Sequence, residues 1–197
     1  MRRGMHHVGL MTQDYDRTVD FYTRVLGFEI VLQDLQSAPD GTPLMRHTFF
    51  DTGDGTCLAF LAPTPAAGGP TSWAGDINSG LGVMSYSYHF AFWLDTEEEL
   101  EAKRRSIEEN GAEVSEIIDH EFCKSIYFRD PEGLCLEFCV QLREFTEDDK
   151  LLKARYQPTF ARFQNDKPAA ERFAKLMGFP PETFTGVEHP DHETIKG

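Results

Sequence analysis

One pattern occurs twice in this chain, and its two copies differ at a single chemically decisive position. Residues 7–60 begin His7-Val8-Gly9-Leu10, continue through a helix-like stretch that stops at Gly27, and end Gly55-Thr56-Cys57-Leu58-Ala59-Phe60. Residues 89–138 begin His89-Phe90-Ala91-Phe92, continue through a charged helix-like stretch that stops at Gly111, and end Gly133-Leu134-Cys135-Leu136-Glu137-Phe138. An internal repeat constrains architecture more than any local propensity, because each copy is one supersecondary unit that leans on its neighbour. Laid on each other, the copies set His7 over His89 and Ala59 over Glu137. Two histidines and one carboxylate then hold equivalent strand positions, with the fourth blank. That set, with open positions, is the ligand set of a non-haem Fe(II) site.

Each copy reads strand, helix, strand, strand, strand. Asp14 can cap the first helix, whose Val19, Tyr22, Val25 and Leu26 form an apolar stripe at helical spacing. Thr96 and Glu99 form a capping box for the second, which runs to about Asn110. Strands are expected at Met5–Thr12, Phe28–Leu35, Met45–Asp51 and Cys57–Leu61, with Asp54-Gly55 as the hairpin turn. In the second copy they are expected near Glu113–Ile118, Ser125–Phe128 and Leu134–Val140. The modules are therefore 5–62 and 86–142, joined by a Pro-, Gly- and Ala-rich linker, 63–85. Together they make a domain of residues 1–145, followed by a helical extension, 146–197. In that extension one helix is expected from Thr146 to about Tyr156. A second starts at Pro168 and is closed by Gly178, with Pro180 and Pro181 beyond.

Strand parity assigns the faces. Val8, Leu10, Phe90, Phe92, Leu136 and Phe138 fall on the side packed under the helices. His7, Met11, His89, Trp93 and Glu137 fall on the opposite, concave side. His47, Phe49, Ala59, Ser125 and Tyr127 join them as expected substrate-pocket residues. A carboxylate between Leu136 and Phe138 is costly to bury without a partner, and a metal held by two imidazoles is one such partner. The competing readings are plain. A lone strand His is commonly a hydrogen-bonded structural residue, Glu137 could instead pair with Arg46 or Arg129, and His6 competes with His7. Tyr127 could be a core residue and His120 a solvated loop residue.

Composition narrows the partners. A net charge of −14 argues against nucleic acid and against an anionic membrane surface, since both need clustered Lys and Arg. The four cysteines include no CxxC pair, which fits reduced thiols. No signal-peptide core follows Met1, and no apolar run reaches the roughly 20 residues of a membrane helix, so a cytoplasmic location is expected.

These motifs resemble the vicinal oxygen chelate superfamily of glyoxalases, bleomycin-resistance proteins and extradiol dioxygenases. The resemblance covers about residues 5–142. It is carried by His7-Val8-Gly9-Leu10 with Asp14, Phe21-Tyr22 and Leu26-Gly27, by His89-Phe90-Ala91-Phe92, and by Tyr127-Phe128-Arg129-Asp130-Pro131-Glu132-Gly133-Leu134-Cys135-Leu136-Glu137-Phe138. It implies an α+β fold: two βαβββ modules forming a curved, partly open mixed sheet barrel with helices outside, plus the C-terminal helical extension. It implies metal ligands His7, His89 and Glu137, in the order extradiol dioxygenases use. Ala59 lacks the fourth ligand of a glyoxalase I site within one chain. Tyr127 stands ten residues before Glu137, where the dioxygenases carry a substrate-binding Tyr. Their catalytic His would fall on Ile118, so His120 is the nearest substitute for the acid–base role. The implied function is an Fe(II)-dependent extradiol, catechol-type ring-cleaving dioxygenase using O2 and a small aromatic substrate. The alternatives are a redox-neutral glyoxalase, isomerase or lyase acting on a hydroxycarbonyl substrate with Mn(II), Ni(II) or Zn(II), and a non-catalytic, bleomycin-resistance-like small-molecule binder. A homodimer is expected.

Overall fold

The computed structural model describes residues 4–53, 55–151 and 166–181. The first module runs β1 (His7–Met11), α1 (Tyr15–Asp20, continued by a π turn over Phe21–Val25), β2 (Glu29–Ser37), β3 (Pro43–Asp51) and β4 (Cys57–Pro63). The linker holds a short helix, α2 (Ile77–Leu81). The second module runs β5 (His89–Leu94), α3 (Glu97–Glu109), β6 (Ile118–Asp119), β7 (Cys123–Arg129) and β8 (Cys135–Gln141). The sheets are ordered β1-β4-β3-β2 and β5-β8-β7-β6, and the two are not closed into one ladder. In each, the outer first strand runs parallel to the fourth and the remaining pairs are antiparallel.

The repeat holds at the level of strand register. His7 lies opposite Cys57 as His89 lies opposite Cys135, and Gly9 opposite Ala59 as Ala91 opposite Glu137. Phe49 faces Ala59 as Tyr127 faces Glu137. Parity alone therefore fixes which side chains share a face.

The helix-side faces of both sheets make one core. Tyr22, Leu26, Phe50 and Phe60 from the first module are continuous with Leu100, Ile107, Phe128, Leu136 and Phe138 from the second. Phe28 meets the Phe92 ring edge-on at 5.0 Å, which stitches the modules together through aromatic contact. The polar stitches are equally specific. The Tyr22 hydroxyl donates to Asp130 Oδ2 at 3.0 Å inside this core. Glu132 Oε1 accepts from the Thr12 hydroxyl and the Gln13 amide, both at 2.8 Å, and so anchors the start of α1. Asp14 accepts from the Arg17 amide as its N-cap, and Thr96 with Glu99 makes the expected capping box on α3.

Three expectations need amendment. Glu113–Ile118 is not a strand. Only the bridge Val114–Phe128 and the two residues of β6 pair there, because the Ser115 hydroxyl, in place of a backbone carbonyl, accepts from the Tyr127 amide. The linker is partly helical. In the extension, Asp148–Lys150 is a single 3₁₀ turn, and the remainder of the helix expected through Tyr156 lies outside the described residues. The second tail helix is present as α4 (Lys167–Met177), N-capped by Asp166 and closed by Gly178 at φ +74°. It packs on the second sheet: Ala169, Ala170, Phe173, Ala174 and Met177 form a cluster with Ile118, Tyr127 and Cys135.

Candidate metal centre

β5 and β8 lie side by side, and the face they share away from α3 carries His89 and Glu137. His89 Nε2 stands 3.1 Å from Glu137 Oε2. The other ring nitrogen, Nδ1, lies 3.0 Å from the Tyr86 carbonyl oxygen. A carbonyl only accepts, so Nδ1 carries the proton and donates. Nε2 then either bears a second proton or aims a lone pair at a carboxylate, an arrangement that calls for a cation between them. Glu137 strengthens the protonated alternative, raising the His89 pKa through their hydrogen bond against the opposing effect of burial. A His fixed through its second nitrogen by a backbone carbonyl is also the usual outer support of a metal-bound imidazole. The pair therefore fits a divalent ion as two of its ligands. The Glu137 side chain is 7% exposed and that of His89 38%, so the opening is on the His89 side.

No third His, Cys, Asp or Glu joins them among the described residues. His7 sits at the edge of the other sheet, with its Nδ1 2.8 Å from His6 Nδ1 and its ring 5.1 Å from that of Phe49. His47 neighbours the same Phe49 at 4.7 Å and pairs with Asp34 at 3.4 Å. The expected ligand trio is thus split, two on the second sheet and one on the first. Glu137 pairs with neither Arg46 nor Arg129 in the described contacts. Arg46 lies beside Asp16, and Arg129 donates to the Ser85 and Leu176 carbonyls.

Beside the pair stands Tyr127, one strand over and opposite Glu137. Its hydroxyl lies 3.0 Å from His120 Nε2. The shifted loop, with Glu121 at φ +71°, brings His120 to the tyrosine although Ile118 occupies the strand position itself. Burial, seconded by the Glu137 charge, holds the Tyr127 phenol well above its ordinary pKa, so it remains a donor. Ser125 is buried two residues away, 3.8 Å from the Cys123 thiol. Cys139, opposite Ser125, is pushed up to about 12 by burial, which makes it an inert thiol.

The expected pocket residues differ in exposure. Trp93 is 65% exposed and Met11 also faces solvent, while Ala59 is buried on its own sheet. Trp93 and His89 border a cleft of about 930 Å³ that is lined by β5 and, from the first module, by Met5, Val8 and Leu58. Three contributors escaped the sequence reading. The Tyr86 carbonyl orients His89, Ser115 holds the Tyr127 backbone through two hydrogen bonds of 2.9 Å, and Phe173 packs on the Tyr127 ring. None carries a local signal, since each acts through a contact made only on folding.

No described helix is long and apolar enough to cross a membrane. The family model of the Glyoxalase/Bleomycin resistance protein/Dioxygenase superfamily matches residues 4–138. A Bacillus subtilis (strain 168) protein named "Putative ring-cleaving dioxygenase MhqA" is 29% identical over 139 residues, covering 66% of this chain and 41% of that protein. The match thus spans less than half of that relative's length. The solved glyoxylase/bleomycin resistance protein/dioxygenase domain from Frankia sp. EAN1pec superposes with a TM-score of 0.56 at 18% identity, over 72% of this chain and 99% of that one. That likeness is one of fold.

Proposed function

We propose, for a chain that belongs to the Glyoxalase/Bleomycin resistance protein/Dioxygenase superfamily, the activity of a metal-dependent, extradiol-type ring-cleaving dioxygenase acting on a small catechol-like substrate. The observation that carries this reading is the His89–Glu137 pair with a hydrogen-bonded Tyr127–His120 couple beside it. His89 and Glu137 would be two ligands of an Fe(II)-type ion. His7 would be the third, supplied by a second copy of the chain in a homodimer, since within one chain it lies on the other sheet and no third ligand joins the pair among the described residues. Held by two imidazoles and one carboxylate, such an ion would supply binding and activation of a chelating diol and O2.

The protein's own groups do the rest. Tyr127, protonated across the working pH range, donates a hydrogen bond to a substrate oxygen and so orients the ring. His120 Nε2 takes a proton from the substrate hydroxyl side and returns one as the product forms, a role suited to an imidazole. The name of the Bacillus subtilis relative points the same way.

The second reading is a redox-neutral lyase or isomerase that uses Mn(II), Ni(II) or Zn(II) on a hydroxycarbonyl substrate. It is favoured by Ile118, fully buried where the dioxygenase motif would carry its catalytic His. Fe(II) reconstitution without air, followed by O2-electrode measurements on a catechol panel, separates the two. Consumption of O2 with a ring-opened product supports the dioxygenase. Turnover of a hydroxycarbonyl compound with Mn(II) or Ni(II), and no O2 uptake with any catechol, decides for the second reading. Metal binding without turnover of either class would leave a sequestering protein.

A further inference from the structure

The C-terminal helix α4 lies on the same face of the second sheet as the catalytic candidates. Its buried stripe is Ala169, Ala170, Phe173, Ala174 and Met177, four of them small or flexible and one a large ring. The alanines let the helix approach the sheet closely, so Phe173 projects the farthest. Its ring meets that of Tyr127 at 6.2 Å and 65°. The His89 and His120 rings meet the same Tyr127 ring, also at 6.2 Å, at 75° and 86°. Phe173 is therefore the third side of a collar around Tyr127, whose other two sides are a ligand candidate and an acid–base candidate.

The helix is fastened where it ends. Arg129 Nη2 donates to the Leu176 carbonyl at 3.0 Å, and the Ser85 hydroxyl donates to the Met177 carbonyl. Gly178 sits so close to Ser85 that a Cβ would come within 2.8 Å of its hydroxyl oxygen. The Tyr86 ring, from the residue whose carbonyl orients His89, packs on Phe179 at 5.1 Å. Arg172 and Glu116 close the outer side with an ion pair at 2.7 Å. A helix held at its C-terminal end by three separate hydrogen bonds or contacts, from Ser85 at the end of the linker and from Tyr86 and Arg129 of the second module, is a fixed wall.

We propose that Phe173 is the specificity-determining residue of this site: a fixed back wall on α4 that limits the size of the substrate held against Tyr127. The proposal rests on the ring-cleavage reading above. A substrate reaches Tyr127 from the more open His89 side, with its far edge directed at the Phe173 ring. A small diol fits, and a diol with a bulky substituent on that edge collides with a ring that its helix cannot yield. Shape discrimination of this kind is worth about 10-fold or more per added carbon group.

The test is calorimetric and needs no turnover. Zn(II)-loaded protein, which does no redox chemistry, is titrated with catechol and with 4-tert-butylcatechol in the full-length chain and in Phe173→Leu and Phe173→Trp. The expected result is a preference for catechol in the parent chain. Phe173→Leu should shift the affinity ratio toward 4-tert-butylcatechol by about 10-fold. Phe173→Trp should shift it the opposite way. If both diols bind and the ratio stays within twofold in both variants, Phe173 sets nothing and the proposal falls while the catechol reading stands. If neither diol binds the parent chain, the catechol reading itself is wrong and the size limit goes with it.

Discussion

His89 and Glu137 face each other across β5 and β8 at 3.1 Å, with the far nitrogen of His89 committed to the Tyr86 carbonyl. This fixes the tautomer before any ligand arrives. On the proposed function, it also makes the carboxylate and the imidazole a preorganised half of the metal centre, attached to two neighbouring strands of one sheet. Loss of Tyr86 as an orienting group is hard to engineer because a carbonyl does the work. Moving it is possible: Tyr86→Pro should perturb the backbone there and weaken metal binding by about 10- to 100-fold, as for other outer supports of a ligand. Calorimetric metal titration checks this, and unchanged affinity would mean that the hydrogen bond to His89 is incidental.

Tyr127 and His120 should both matter to turnover and neither to folding. Tyr127→Phe removes only the hydroxyl from a ring whose packing on Phe173 and His89 remains. We expect kcat/KM for a catechol to fall by about 10²-fold or more in Tyr127→Phe and in His120→Asn, the range for a lost acid–base or positioning group. The melting temperature should stay within a few degrees. Full activity in both would remove the couple from the mechanism.

The Asp130 carboxyl makes stability depend on pH in an unusual direction. Burial pushes its pKa up to about 6, against hydrogen bonds from the Leu134 amide and the Tyr22 hydroxyl that pull it down. An unfolded Asp titrates near 3.9. Between those values the folded chain holds a proton that the unfolded chain has released, so this group adds stability as pH falls from about 6 to about 4. The total is on the order of 3 kcal/mol. Urea melts of the parent chain and Asp130→Asn should show the parent gaining on the variant across that window. A constant difference between them would mean that the Asp130 carboxyl titrates normally.

The contact between the linker and the second module leaves no room for a methyl group at Gly75. A Cβ there would lie 2.8 Å from the Glu132 backbone oxygen, and the Glu132 side chain is held in place by Thr12 and Gln13. Gly75→Ala should therefore cost about 1–3 kcal/mol, the range for overpacking, and Glu132→Ala should relieve part of that loss in the double variant. Denaturant melts give both numbers. Strict additivity would show that the two sites do not touch in solution.

The legible parts of this fold are those written in short-range patterns. Alternation along His7–Met11, His89–Leu94 and Cys135–Gln141 fixed the faces, and the register pairs Gly9–Ala59 and Ala91–Glu137 confirm the superposition of the copies. Asp14, Thr96 and Gly178 mark helix ends because capping is a local hydrogen-bonding problem. What stayed hidden depends on residues far apart in the chain. Nothing near Phe173 says that it will meet Tyr127, and Tyr22 finds Asp130 at a separation of 108 residues. The site was half legible for the same reason. Glu137 and His89 are neighbours by sheet pairing, which parity predicts, whereas the distance between His7 and that pair depends on how modules associate, which parity does not address. Glu113–Ile118 looked like a strand from its apolar residues, but Val114 and Ile117 serve the core rather than a ladder.

Sharing of the site between two copies has its own signature. His7→Ala and Glu137→Ala should each lose stoichiometric metal. Unfolding and refolding the two variants together should restore part of it, because a mixed dimer rebuilds one complete site. No recovery on mixing, with metal bound by a monomeric parent chain, would place all the ligands within one chain.

The central claim is that His89 and Glu137 hold a divalent metal, and metal content is its most direct measure. Elemental analysis after anaerobic Fe(II) reconstitution and desalting should give one ion per chain in the parent protein. Glu137→Ala should retain less than a tenth of that, roughly the effect of losing a ligand rather than an outer support, with its circular dichroism spectrum unchanged. A full complement of metal in folded Glu137→Ala would contradict the account.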